Sequence, residues 1–119
     1  MTALERRRSH RTAVDFFVEE RRGDKSWLHP ATDLSTEGLY VLVQDDRIAI
    51  DPELVIDVEF TLPTGVAVKA RVQIAYSDDR HGQRGLFLQF AELDGPARDA
   101  IEAFIEASAH ARQLARHSA

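Results

Sequence analysis

The sequence contains no cysteine, which excludes disulfide bonds, thiolate metal sites and cysteine nucleophiles. No apolar run approaches the ~20 residues that a membrane-spanning helix needs, and the first residues predict no signal peptide. We therefore expect a cytoplasmic protein that does not insert into a membrane. A length of 119 residues with 44% hydrophobic and 29% charged residues predicts one soluble domain around a single modest core.

Acidic residues outnumber basic ones outside the N-terminus. The net charge of −5 argues against a general DNA- or RNA-binding protein, because such proteins are usually basic over a whole face. Four arginines and one glutamate give residues 1–11 a charge of +3, so the remainder carries −8. A short basic segment on an acidic body suits a compact anionic ligand better than a long polyanion. Taken alone, an arginine run of this kind is equally typical of a solvated, disordered terminus.

Several segments alternate apolar and polar residues, as antiparallel strands with one buried face do. The clearest are residues 14–18, 56–62 and 66–76; the last of these predicts inward side chains at Val66, Val68, Ala70, Val72, Ile74 and Tyr76. Segments 39–43 and 86–90 are more apolar and predict better-covered strands, and residues 27–31 supply one more. Pro63-Thr64-Gly65 predicts a tight hairpin turn. Five or six strands at this spacing predict a small closed or nearly closed barrel.

The pattern changes to a helical one at Asp94. Asp94 is a predicted N-cap, and Pro96 suits the first turn, where its missing N–H removes no hydrogen bond. Apolar residues then follow helical spacing from Ala97 to Ile105. We expect this helix to close an open end or seam of the barrel. The predicted organisation is an arm at residues 1–11, a barrel with its helix at 12–110, and a frayed tail at 111–119.

Two short motifs carry the chemistry. Arg7 and Arg11 are four residues apart directly before a predicted strand, and a guanidinium can pair bidentately with a phosphate or a guanine edge. The second motif, residues 33–38, places an aspartate, a serine and a glycine at fixed spacing. An ordinary strand-ending turn has the same residue types, so this motif alone is not specific.

Together the motifs are much more specific, because they resemble the RxxxR and (D/N)xSxxG signature of PilZ domains, the bacterial receptors for cyclic di-GMP. The resemblance extends to the glycine-led strand at Gly85–Phe90 and to the C-terminal helix, and so covers residues 5–106. It implies a mainly β fold, the six-stranded antiparallel PilZ barrel with a C-terminal α-helix. It also implies a ligand-binding set, namely Arg6, Arg7, Arg8, Arg11, Asp33, Ser35 and Gly38.

The resemblance suggests a role for each of these residues. Arg7, Arg8 and Arg11 would hold phosphates and the Hoogsteen edges of guanine. The Asp33 carboxylate would accept from the N1–H and N2–H₂ groups of guanine, and the Ser35 hydroxyl would bond a phosphate or base edge. Gly38, which lacks a Cβ, would allow ligand or backbone to come close.

By the same resemblance, Arg6 bears on stoichiometry. In the family, an arginine just before RxxxR is associated with an intercalated pair of cyclic di-GMP molecules, and we therefore expect two ligands per protomer. A domain without an output module is expected to signal to an unidentified partner protein. The alternative function is a PilZ-fold interaction adaptor with weak or secondary ligand binding.

Evidence for other chemistry is thin, and we predict that the chain is not an enzyme. The five histidines, His10, His29, His81, His110 and His117, lack metal-ligand spacing and are interpreted as surface or loop residues. Ser35 has no G-x-S-x-G context that would support a nucleophile. Asp78-Asp79 is interpreted as a pair of solvated turn acids, and Trp27 as a core residue that has an alternative role as a stacking platform.

Overall fold

The computed structural model describes residues 11–43, 53–80 and 82–117. Within these ranges the strands are β1 (Thr12–Arg22), β2 (Lys25–Leu34), β3 (Gly38–Val43), β4 (Ile56–Thr61), β5 (Ala67–Arg80) and β6 (Gln83–Glu92), followed by helix α1 (Gly95–His117). All paired strands are antiparallel and close in the order β1-β2-β3-β6-β5-β4. The predicted six-stranded antiparallel barrel with a C-terminal helix is confirmed.

The barrel interior is filled by alternate residues of each strand, as the period of two predicts. Completely or almost completely buried side chains from β1 to β6 meet there, including Val18, Leu34, Val41, Val58, Val72 and Leu88. The strand predicted near Trp27 is longer than expected and runs through Pro30, which pairs with Phe17 of β1. The hairpin predicted at Pro63 is confirmed: Gly65 donates its N–H to the carbonyl of Leu62 at 2.8 Å and has a φ of 96°.

Helix α1 begins as the sequence predicts. The backbone N–H of Ala97 donates to Oδ1 of Asp94 at 2.7 Å, which is an N-cap. Ala97, Ile101 and Ile105 are buried against the barrel, next to the stacked rings of Phe16, Phe60 and Phe90. The helix continues to His117, so the part of the predicted frayed tail up to that residue is helical, in keeping with its alanines and long side chains.

An ionic cluster lies inside the barrel and was not predicted. The Glu20 side chain faces inward with 3% exposure, and its Oε1 lies 2.9 Å from Nε2 of His29, which is 8% exposed. The Nε of Arg22 lies 2.6 Å from the other Glu20 oxygen. Interpreting His29 as a surface or loop histidine was therefore wrong, because it is on the inward-facing row of β2 and has a buried carboxylate as its partner. We call these three residues the inner cluster.

A bulge in β5 redirects Tyr76. The pairing of β5 with β6 shifts between Ile74 and Tyr76, so that Tyr76 stands opposite Phe87. Without the extra residue Tyr76 would share the inward face of Ile74; with it, the side chain lies outside and is 40% exposed. The inward orientation predicted for Tyr76 was wrong for this reason. Val66 is also exposed, because it lies in the turn before β5 begins.

Candidate functional site

The turn between β2 and β3 carries the second motif and is held by the motif's own atoms. The N–H of Ser35 donates to the Gly38 carbonyl at 2.9 Å, and its hydroxyl donates to the same oxygen at 3.3 Å. The Ser35 hydroxyl also accepts the N–H of Glu37 at 3.2 Å. The serine is 4% exposed, so its hydroxyl shapes the turn from within. A direct contact between Ser35 and a ligand stays a prediction.

Gly38 joins this turn to the strand beyond it. A Cβ at Gly38 would overlap the backbone carbonyl of Leu88 in β6, so no other residue fits without moving a strand. The carbonyl of Glu37 accepts the N–H of Phe90 at 2.9 Å. The turn is therefore held at two places: it continues directly from β2 along the chain, and it packs and hydrogen-bonds against β6. Gly38 permits a close approach of backbone here, which was one of the two possibilities predicted for it.

Asp33 lies on the outer surface at the end of β2. Its neighbour Leu34 is completely buried in the core, and Asp33 therefore faces the opposite way. A bulge at Thr32 precedes it, and the Thr32 hydroxyl donates to Oδ2 of Asp33 at 3.0 Å. The carboxylate is half-buried and thus positioned while still reaching solvent.

Asp33 begins a row of outward side chains that crosses four strands. The strand register aligns Asp33 with Tyr40, Tyr40 with Phe87, and Phe87 with Tyr76. Adjacent strands are ~4.8 Å apart, so the row is roughly 14 Å long. We call these four residues the outer row. It combines one half-buried carboxylate with three aromatic rings, of which Tyr76 is 40% exposed and open to a planar polar ligand.

Tyr40 lies flat across the outer row because Gly85 leaves room for it. A Cβ at Gly85 would overlap the Tyr40 hydroxyl, which donates a hydrogen bond to Oδ1 of Asp78 on β5. Tyr40 is 1% exposed although it does not face the core. Asp78 lies in a strand and is half-buried, so its interpretation as a solvated turn acid was wrong.

Arg11 reaches the outer row from the end of β1. Its guanidinium carbon lies 5.3 Å from the centroid of the Phe87 ring, which is within the range of a cation–π contact. The structure thus brings together Arg11 of the first motif and Asp33 of the second on one outer face. Arg6, Arg7 and Arg8 lie outside the described residues.

Sequence reasoning missed the aromatic members of the outer row. The apolar composition of β3 and β6 indicated coverage on both faces, but not that Tyr40 and Phe87 form the outer cover. Trp27 is not in the row; it pairs with Glu20 in register, and the Arg22 guanidinium lies 5.8 Å from its ring centroid. Its alternative role as a stacking platform for the ligand is therefore not supported by its place in the fold.

Two other kinds of site have no support in the part of the chain that the structure describes. Those residues contain no group of three or more histidine, aspartate or glutamate side chains arranged to hold a metal ion. None of the described helices is both long and apolar enough to cross a membrane.

The barrel, the arginine-bearing entry to β1 and the motif turn between β2 and β3 together define a class of small β-barrel domain. The model of the PilZ domain family matches residues 5–107, and the chain belongs to that family. No curated protein matches the sequence.

Two solved structures illustrate the shared fold. The PilZ domain of YcgR from Escherichia coli with c-di-GMP matches with a TM-score of 0.72 and 18% identity over 93% of this chain and 98% of that one. The inhibitor of motility MotI/DgrA of Bacillus subtilis matches with a TM-score of 0.75 and 17% identity over 92% of this chain. The present chain spans 51% of the MotI chain, about half its length. At these identities the likeness shows the fold.

Proposed function

We propose that this chain is a non-catalytic bacterial receptor for cyclic di-GMP. The observation that carries the proposal is that Arg11 of the first motif and Asp33 of the second lie on one outer face, with Arg11 over Phe87 and Asp33 in the same row. The structure of the YcgR PilZ domain with c-di-GMP supports it by fold. Cyclic di-GMP is made from GTP, a cytoplasmic nucleotide, and the proposed site of action is therefore the cytoplasm.

Each ligand group has a complementary partner in the proposed complex. Arg7, Arg8 and Arg11 supply planar guanidinium forks for phosphates and the O6 and N7 acceptors of guanine. Asp33 accepts from the donor edge of guanine, and its half-buried position strengthens such a bond. Tyr76, exposed at the end of the outer row, offers a ring on which a base stacks. Ser35 and Gly38 hold the turn that places Asp33.

The signal passes to a partner protein in this proposal. The arginine-bearing arm at residues 1–11 becomes ordered around the ligand, and a partner recognises the arm with the adjacent surface. An order–disorder transition of this kind is a common switch, because ligand contacts offset the lost chain entropy.

The presence of Arg6 leads us to propose a stoichiometry of two ligand molecules per protomer. An intercalated pair carries four phosphates and additional guanine faces, and a further guanidinium can neutralise and stack on the second molecule. Titration calorimetry of the parent is expected to give a ratio near two, and Arg6→Leu a ratio near one. A parent ratio near one, or a ratio of two that Arg6→Leu does not change, would remove Arg6 from this role while leaving the receptor proposal intact.

The receptor proposal is tested by calorimetry on variants of each motif. Arg11→Ala and Asp33→Ala each remove a charge-assisted contact worth ~1.5–3 kcal/mol, so affinity is expected to fall ~10- to 100-fold. The matched control is Asp15→Ala, an exposed carboxylate of β1 outside the outer row, which is expected to leave affinity unchanged. A folded parent that gives no heat at micromolar ligand would favour the alternative, an interaction adaptor with weak or secondary binding.

A further inference from the structure

Arg11 is the last residue of the RxxxR motif and has a defined place on the barrel. Its guanidinium carbon is 5.3 Å from the Phe87 centroid, and the side chain is otherwise exposed. An exposed arginine normally samples many rotamers, and a ligand that captures it must restrict them. A contact that already restricts the guanidinium lowers this entropic cost.

The ring beneath Arg11 is itself fixed. Phe87 is 7% exposed and stacks on Tyr76, with centroids 5.4 Å apart and planes inclined by 10°. On its other side in the row, Tyr40 is held by its hydrogen bond to Asp78. Phe87 is therefore a rigid, electron-rich ring that lies beneath Arg11, and the bulge before Tyr76 is what brings the supporting ring outside.

We propose that Phe87 is a positioning residue that holds the Arg11 guanidinium over the outer row before cyclic di-GMP binds. This inference rests on the proposed function, since it concerns the same site. Phe87 belongs to neither motif, and it acts on the ligand through Arg11.

The first test needs no ligand. Protons above an aromatic face experience a ring current, so the side-chain protons of Arg11 in the free parent protein are expected at upfield NMR shifts. Phe87→Leu keeps an apolar side chain but removes the ring, and the upfield shift is expected to disappear. Phe87→Tyr keeps the ring and is expected to retain it. Phe17→Leu, a change of the same kind at an exposed site on β1, is the matched control and is expected to leave it unchanged.

The second test is a double-mutant cycle in cyclic di-GMP affinity. A cation–π contact at an exposed site corresponds to about a two- to fivefold change in affinity, which is the loss expected for Phe87→Leu in the parent. In the Arg11→Ala background the same change is expected to have no effect, because the group that Phe87 positions is gone. A merely structural role for Phe87 would give the same loss in both backgrounds.

The outcomes separate this inference from the proposed function. Arg11 protons without an upfield shift in the free parent, or equal losses in the two backgrounds, would overturn the positioning role even if cyclic di-GMP binds tightly. A parent that shows the shift but does not bind cyclic di-GMP would support the docked arginine and contradict the receptor proposal. The upfield shift of the Arg11 protons in the free parent tests the positioning role of Phe87 even if Phe87→Leu does not fold.

Discussion

The inner cluster and the outer row, with Arg11 above it, both place charged side chains on strands of one barrel, but they differ in what surrounds those side chains. Glu20 and His29 face the interior, are almost fully buried and are within bonding distance of each other. Asp33 and Arg11 face outward, at a surface whose floor is aromatic. Buried charges that pair with one another stabilise a fold only as long as both partners stay, whereas surface charges over a fixed floor remain available to a ligand. The comparison predicts that stability and binding are separable by mutation.

The largest effect on stability is expected at Glu20. Glu20→Ala leaves His29 and Arg22 without their buried partner, and the free energy of unfolding is expected to fall by about 3 kcal/mol. Urea denaturation measures this loss. Glu19→Ala, on the outer face of the same strand, is the control and is expected to change stability by less than about 0.5 kcal/mol. A changed cyclic di-GMP affinity of the folded Glu20→Ala variant would show that stability and binding are not separable by mutation.

Gly38→Ala is expected to affect both properties, since it lies where the motif turn touches β6. The added Cβ overlaps the carbonyl of Leu88, and relieving this overlap is expected to cost about 2 kcal/mol. The displaced turn also moves Asp33, so affinity is expected to fall. Gly95→Ala is the matched control, because a Cβ there meets nothing within 4 Å. Equal stability of the two variants would contradict the close approach.

Acid is expected to weaken the inner cluster selectively. Burial alone would raise the pKa of Glu20, but the hydrogen bond from His29 and the charge of Arg22 outweigh it and hold the pKa below its ordinary value of 4.5. A carboxyl with a lowered folded-state pKa contributes stability that is complete above its unfolded pKa and is lost as the pH falls through the folded value.

Glu20→Gln isolates this contribution from those of the other carboxyl groups. The difference in unfolding free energy between the parent and Glu20→Gln is expected to shrink as the pH falls below about 4.5. A difference that grows as the pH falls below about 4.5 would show that the sign is wrong.

The smallest effect is expected from Tyr40→Phe. The change removes the hydrogen bond to Asp78 but keeps the ring, and stability is expected to fall by about 1 kcal/mol. Tyr76→Phe is the stability control, because its ring is partly exposed and no buried hydroxyl is lost. Thermal unfolding compares the two. A loss at Tyr40 as large as that at Glu20 would mean that the outer row stabilises the fold as much as the inner cluster does.

The sequence predicted the parts of the fold that depend on local periodicity. The barrel, the Asp94 N-cap and the Pro63 turn all follow from alternation or from capping and turn chemistry. Tyr76 did not, because a single bulged residue reverses the alternation after Ile74 and leaves no sign in composition.

The inner cluster was missed although a signal existed. Glu20 has the same parity as Val18 on β1, so it falls on the inward row, where a charge requires a partner. His29 has the same parity as Ala31 on β2, and the register of the two strands brings them together. The aromatic floor depends on the pairing of β3 with β6, which are far apart in sequence, and on the bulge in β5, and no local pattern encodes either.

The central claim is that the ligand binds at the outer row and leaves the inner cluster untouched. An NMR titration of the backbone amides with cyclic di-GMP tests it most directly. We expect large changes in amide chemical shift in and beside the outer row, at Arg11, Asp33, Gly38, Tyr76 and Phe87. Small changes are expected in the inner cluster, at Glu20, Arg22 and His29. Saturable binding with its largest shifts at the inner cluster, or no shift at micromolar ligand, would contradict it.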